Sequence, residues 1–218
     1  MKKSLILLPL TAALLSGCFL MPSKKTSKTS GSSSGGSGST GTQPTTSETP
    51  SGAEDFVLTS GTHTAILDFE NDPDRYTYPR AEETDTEAQD GNFGGLDWKI
   101  YHSYKGSYDG QYWLMMKNKD NWDANGQAWF GNAVSLGSIT SIEVVVRTGA
   151  SSKLSYDLSV GSTMFTTAQT GGTEFAVGTK GTYSGSGSGF FAISTKPVSG
   201  TNKYNGQIAQ VKVTYTIS

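Results

Sequence analysis

The stretch Ala209-Gln210-Val211-Lys212-Val213-Thr214-Tyr215-Thr216-Ile217 alternates apolar and polar residues without a break. Successive side chains of an extended chain point to opposite faces, so Ala209, Val211, Val213, Tyr215 and Ile217 share one face. Gln210, Lys212, Thr214 and Thr216 share the other. A period of two over this length predicts a half-buried strand, because a helix would bring apolar residues back only about every 3.6 positions.

The same period recurs upstream. Leu154, Tyr156, Leu158 and Val160 alternate with Lys153, Ser155, Asp157 and Ser159, and Ile142, Val144 and Val146 alternate with Glu143, Val145 and Arg147. Shorter strands are predicted over 65–70, 97–102, 112–117, 128–130, 163–166, 173–177 and 189–194. Turn residues separate them, at Gly91-Asn92, Asp109-Gly110, Asn125-Gly126, Gly171-Gly172 and Ser184 to Gly189. The stretches Tyr101 to Tyr108 and Lys119 to Asn125 read as polar loops, and only Arg80 to Gln89 suits a helix. Composition agrees, since 27 of 218 residues are Gly and only 17% are charged, whereas helices draw on Ala, Leu, Glu and Lys. The expected fold is all-β, a single antiparallel β-sandwich of jelly-roll type behind a disordered linker.

The N-terminus reads differently. Lys2 and Lys3 precede a short apolar run from Leu5 to Leu15, and small residues then lead to Cys18, the only cysteine in the chain. The run is too short to span a bilayer and has the layout of a secretion signal. Leu15-Ser16-Gly17-Cys18 resembles the lipobox of bacterial lipoproteins. That resemblance implies a signal peptide over 1–17, cleavage before Cys18, and a thioether link from Cys18 to diacylglycerol. Two acyl chains suffice as a membrane anchor, each buried methylene contributing about 0.8 kcal/mol. The localisation implied is extracytoplasmic, on the cell surface or in the periplasm.

From Ser23 to Gly52, Ser, Thr and Gly make up 23 of 30 residues, with Lys24, Lys25 and Lys28 at the lipid end. Such a segment has nothing to bury, so 18–52 is expected to be a disordered tether and 53–218 the folded domain.

The C-terminal half resembles a module of secreted bacterial lipoproteins and of appendages on extracellular hydrolases. The likeness lies in the order Ser141-Ile142-Glu143-Val144-Val145-Val146, Leu158-Ser159-Val160-Gly161-Ser162-Thr163-Met164-Phe165, Ser188-Gly189-Phe190-Phe191-Ala192-Ile193 and Ile208 to Tyr215. It implies a jelly roll similar to carbohydrate-binding and galactose-binding-like domains, and it brings no catalytic residue.

Residue counts exclude much chemistry. One cysteine rules out an intrachain disulfide or a thiolate cluster, and two histidines, His63 and His102, are too few for a three-His zinc site. Charge is uneven, because Glu54 to Asp90 holds 11 acidic residues against Arg75 and Arg80. Nucleic acid is therefore not expected as a partner of this region, since it would repel phosphate.

Within it, Asp68, Glu70, Asp72 and Asp74 stand at a strand end, where hard cations such as calcium find oxygen ligands; the alternative is a solvated acidic loop. Asn121 to Gly126 offers a second, weaker likeness to a calcium loop, or simply an Asn-Gly turn. Ten aromatic residues crowd Gly91 to Gly131, including all four Trp. Tyr104, Tyr108 and Trp122 fall in its polar stretches, where exposed rings beside Asp, Asn, Lys and Gln suit the mixed faces of sugars. Three functions are thus expected in order: binding of carbohydrate or a surface polymer, adhesion to another protein, and polysaccharide cleavage with His102 and Tyr104 as acid–base groups.

Overall fold

The computed structural model describes residues 52–79, 87–117, 127–197 and 205–218; Cys18, Trp122 and the Asn121 to Gly126 turn lie outside them. Twelve strands follow in order: β1 (Gly61–Asp68), β2 (Gln89–Phe93), β3 (Leu96–Tyr101), β4 (Ser103–Tyr108), β5 (Gln111–Met116), β6 (Trp129–Asn132), β7 (Ser138–Val146), β8 (Leu154–Gly161), β9 (Thr173–Ala176), β10 (Lys180–Ser184), β11 (Phe190–Pro197) and β12 (Gly206–Ile217). A 3₁₀ turn, Pro73–Arg75, lies between β1 and β2. The expectation of an all-β antiparallel sandwich holds: every strand pair is antiparallel, in two six-stranded sheets.

One sheet runs β10-β7-β12-β5-β4, with β1 also paired to β12, and the other runs β2-β3-β6-β11-β8-β9. Setting β2 to β5 aside leaves eight strands whose neighbours are β1-β12-β7-β10 and β6-β11-β8-β9. Numbered afresh, these are 1-8-3-6 and 2-7-4-5, the connectivity of a jelly roll. The other four strands are two hairpins inserted between its first and second strands. One, β2–β3, extends the second sheet beside β6; the other, β4–β5, extends the first beside β12.

β12 is the spine of the first sheet. Along one edge β12 pairs with β7; along the other it pairs first with β5, through Gly206 to Ile208, and then with β1, through Gln210 to Ile217. A bulge at Ala209 resets the alternation, so Ile208 and Ala209 are both buried, followed by Val211, Val213 and Tyr215. Facing them in the core are Phe93, Trp98, Ile100, Phe130, Phe191 and Ile193 of the second sheet. Their aromatic rings pack with Phe56, Phe69 and Tyr76 at centroid distances of 5.3 to 6.3 Å.

Three local expectations are corrected. Residues 163–166 form no strand but part of a connection running over 162–172, tied down where the N–H groups of Gly171 and Gly172 donate to the Asp157 carboxylate. Tyr101 to Tyr108 is not a loop: β3 runs to Tyr101, the chain turns at His102 with φ of 52°, and β4 begins at Ser103 in the opposite sheet. Gly91-Asn92 lies inside β2, and the turn that follows is Gly94-Gly95, with φ of 60° and 75°. The Asp109-Gly110 turn stands as expected, with φ of 50° and 73°, the signs a two-residue type I′ hairpin demands.

Candidate ligand-binding face

The β4–β5 hairpin sets the geometry. Its register pairs Tyr104 with Met115, Gly106 with Trp113, and Tyr108 with Gln111, and residues directly opposite each other share a face. Leu114 and Met116 point into the core, so these six residues lie on the outer face of the sheet. Tyr108, beside the turn, is 77% exposed, and Tyr104 is half-buried.

Trp113 is the centre of this end of the face. It is only 4% exposed although it points outward, because its ring lies across Gly106 and beneath Arg147. The Arg147 guanidinium sits 4.2 Å from the ring centroid and donates to Gln207 Oε1 at 2.9 Å and to Gln111 Oε1. A cation stacked on indole and held by two amides is a rigid, amphipathic surface. Trp113 Nε1 is buried without an acceptor among the described residues.

Toward the middle of the same face, β10, β7 and β12 form an open depression of about 290 Å³ lined by Ser141, Glu143, Thr182, Tyr183, Lys212 and Thr214. Beyond it, Thr62 bonds Thr216 at 3.0 Å and Thr64 bonds Thr214 at 3.3 Å across β1 and β12. From Gln207 to Thr216 the polar residues of β12 thus mark a strip about 30 Å long, at roughly 3.3 Å per residue.

The acidic loop has a different organisation. Asp68 is 1% exposed; its carboxylate accepts from the Asn71 backbone N–H at 2.9 Å and from the Asn71 amide at 3.0 Å. Asp72 lies 3.6 Å from Arg75, Asp74 pairs with Lys105, and Glu70 is exposed. Arg75 is held more firmly protonated by its hydrogen bond to Asp55. Among the described residues no group of three or more His, Cys, Asp and Glu side chains gathers in a metal-binding arrangement. The loop also carries Tyr76 and Tyr78, whose hydroxyls burial pushes well above the ordinary phenol range.

His102 is buried at the corner between the sheets, its ring stacked on Tyr101 with centroids 4.0 Å apart. Tyr104 points instead to the outer face of β4. Nine of the ten aromatic residues are described and divide accordingly: Phe93, Trp98 and Phe130 belong to the core, Trp113 and Trp129 are buried outside it, Tyr101, Tyr104 and Tyr112 are half-buried, and Tyr108 is exposed.

The structure therefore brings Tyr104 and Tyr108 onto one face and does not gather the four acidic residues: Asp68, opposite Gln210, is buried and bonded to Asn71 and Gln210, Asp72 and Asp74 pair with Arg75 and Lys105, and Glu70 is exposed. It adds Trp113, Arg147, Gln111, Gln207 and Lys212, which were not singled out as site residues. The signal for them was present in the parity of Gln111, Trp113 and Met115 against Tyr104, Gly106 and Tyr108, which becomes visible only once β4 is recognised as a strand. Among the described residues no helix is long and apolar enough to cross a membrane. The chain matches no family model and no curated protein.

Proposed function

We propose that this chain is a lipid-anchored, extracytoplasmic surface protein whose sandwich binds carbohydrate or a surface polymer along the outer face of the β12 sheet. The observation that carries the reading is the alignment of Tyr104 and Tyr108 with the Arg147-capped Trp113 and two glutamines on one solvent-facing surface. Rings offer apolar platforms to the C–H faces of sugars, and amides and hydroxyls beside them meet the sugar hydroxyls. The strip is long, which suits a polymer better than a single small molecule.

The anchor rests on the sequence around Leu15 to Cys18. Mass spectrometry of the membrane fraction is expected to find a chain that begins at Cys18 and carries acyl groups, and Cys18→Ser is expected to release the protein from the membrane. A chain retaining Met1, or one still bound after Cys18→Ser, would count against the anchor.

For the binding reading, the full chain in detergent is tested against a broad set of glycans and cell-wall polymers, with calcium and again with chelator. Saturable binding weakened by Tyr108→Ala or Trp122→Ala supports it, and loss in chelator brings the Asp68, Glu70, Asp72 and Asp74 loop in as a calcium site. Binding to proteins alone, or the release of reducing ends from a glycan, would replace it with the adhesive or the enzymatic reading.

A further inference from the structure

We infer that the depression between β10, β7 and β12 is a subsite for a carboxylate, so that the polymer bound on this face is an acidic polysaccharide built of uronate residues. The inference rests on the glycan-binding reading of the face and specifies its ligand class.

The depression is electrostatically asymmetric. Its one acid, Glu143, is neutralised by Lys180 of the neighbouring strand at 2.8 Å. Lys212 stands directly opposite Glu143 in the β12–β7 register, yet its ammonium has no hydrogen bond or ion pair among the described residues. On its other side the cross-strand neighbour is Ile66, which is apolar and buried. The next acid along β1, Asp68, stands opposite Gln210 rather than Lys212, and its carboxylate accepts from Asn71 at 3.0 Å and from Gln210 Nε2 at 3.5 Å. Among the described residues Lys212 therefore lines the depression as a positive charge without an ion-pair partner, in a chain whose net charge is −2.

The surrounding donors fit a carboxylate. Ser141 and Thr182 present hydroxyls to the depression from β7 and β10, and Thr214 adds a third that is shared with Thr64. An ammonium with flanking hydroxyls satisfies the several lone pairs of a carboxylate, and such charge-assisted bonds are the strong ones. A neutral sugar would offer the ammonium hydroxyl acceptors but no compensating charge.

Position along the face completes the argument. Lys212 is five residues from Gln207, about 16 Å along β12, so the carboxylate subsite and the Trp113–Arg147 platform are farther apart than one sugar ring reaches. A chain running along β12 engages both, lying against the Arg147 guanidinium at one end and placing a uronate at the other. Arg147 supplies a second positive charge along the route.

The test compares binding of the full chain to polygalacturonate, to its fully methyl-esterified form and to dextran, for wild type, Lys212→Gln, Thr182→Val and Tyr108→Ala. Esterification removes the charge and keeps the backbone, so the expected result is binding of the free acid with at least about tenfold weaker binding of the ester. Lys212→Gln is expected to abolish that difference while leaving the melting temperature and the weak binding of the ester unchanged, and raised salt is expected to act in the same direction. Thr182→Val, which leaves every charge in place, reduces the preference in part. Equal binding of acid and ester by wild type, or an undiminished preference in Lys212→Gln, would overturn the inference while leaving the glycan reading standing. Binding of a phosphate-bearing polymer in place of uronate chains would also overturn it. Failure to bind any glycan sinks both, and loss of binding in Tyr108→Ala alone sustains only the broader reading.

Discussion

Gly106→Ala puts the architecture of the binding face to a quantitative test. A Cβ at Gly106 would lie 2.4 Å from Trp113 Nε1, 2.8 Å from Cε2 and 2.9 Å from Cδ1. Carbon contacts relax near 3.5 to 4.0 Å, so the indole must move outward by about 1 Å. It cannot do so alone, because Arg147 lies 4.2 Å above the ring and is fixed to Gln207 at 2.9 Å. Overpacking of this kind costs about 1–3 kcal/mol, and loss of the stacked cation adds about 0.5–1 kcal/mol. For a domain of this size a loss of about 2 kcal/mol lowers the melting temperature by about 4–8 °C. The assay is thermal unfolding followed by near-ultraviolet circular dichroism, with Ser107→Ala, an exposed neighbour on the same strand, as the reference expected within about 0.5 kcal/mol of wild type. Unchanged melting and an unchanged aromatic spectrum in Gly106→Ala would refute the placement of Trp113 across β4, and with it the platform.

Three further outcomes are expected. Burial pushes the Tyr156 hydroxyl up to about 12, against a partly opposing hydrogen bond from the Gln207 N–H; the folded state favours the protonated phenol, so stability is full below pH 10 and is lost as pH rises toward 12, and a urea midpoint that stays level through pH 11 would contradict this. Asp157, 1% exposed, accepts from Gly171 N–H at 2.8 Å, Gly172 N–H at 2.9 Å and Ser159 Oγ at 2.6 Å; Asp157→Asn is expected to cost about 2–3 kcal/mol and expose 162–172 to protease, while wild-type resistance would remove its anchoring role. Tyr108→Ala is expected to leave stability within about 0.5 kcal/mol and to weaken glycan binding, so a large fall in stability would show the ring to be structural.

The strands legible in the sequence and the strands that were not differ in a physical way. β7, β8 and β12 bury one face and solvate the other, and alternation declares them. β2, β4 and β10 went unread, and all three are edge strands. Each contains a glycine that lies under a large side chain: Gly91 under Ile100 and Gly106 under Trp113 of the paired strand, and Gly181 under Phe175 of the other sheet, where an added Cβ would meet those atoms at 2.4, 2.4 and 2.7 Å. In a sequence such a glycine reads as a turn; in the sheet it is the floor on which a large side chain rests. Lys105 compounded the error at β4, because its parity is that of the core while its ammonium reaches out to Asp74 and lies 4.6 Å from the Tyr112 centroid. Part of the candidate site was hidden by the same misreading, since Tyr104 and Tyr108 were recognised as aromatic residues in a polar stretch but not as members of one face with Trp113.

The inserted hairpins explain why aromatic residues crowd this region and why the face built there is suited to binding. Extending the second sheet by β2 and β3 widens the interior beyond the eight jelly-roll strands, and large rings fill the added space: Phe93 and Trp98 pack against Phe69, Phe130 and Phe191 at 5.3 to 5.7 Å. Extending the first sheet by β4 and β5 has the opposite geometric result on its solvent side. These strands share an edge of β12 with β1, so β12 becomes central along its whole length, and its outward residues are no longer a margin but the middle of a broad surface. A jelly roll without the second hairpin would leave Gln207 and Arg147 at a rim, with no Trp113 to stack on and no Gln111 to hold the guanidinium. The insertion that supplies the rings therefore also supplies the breadth that an extended polymer requires.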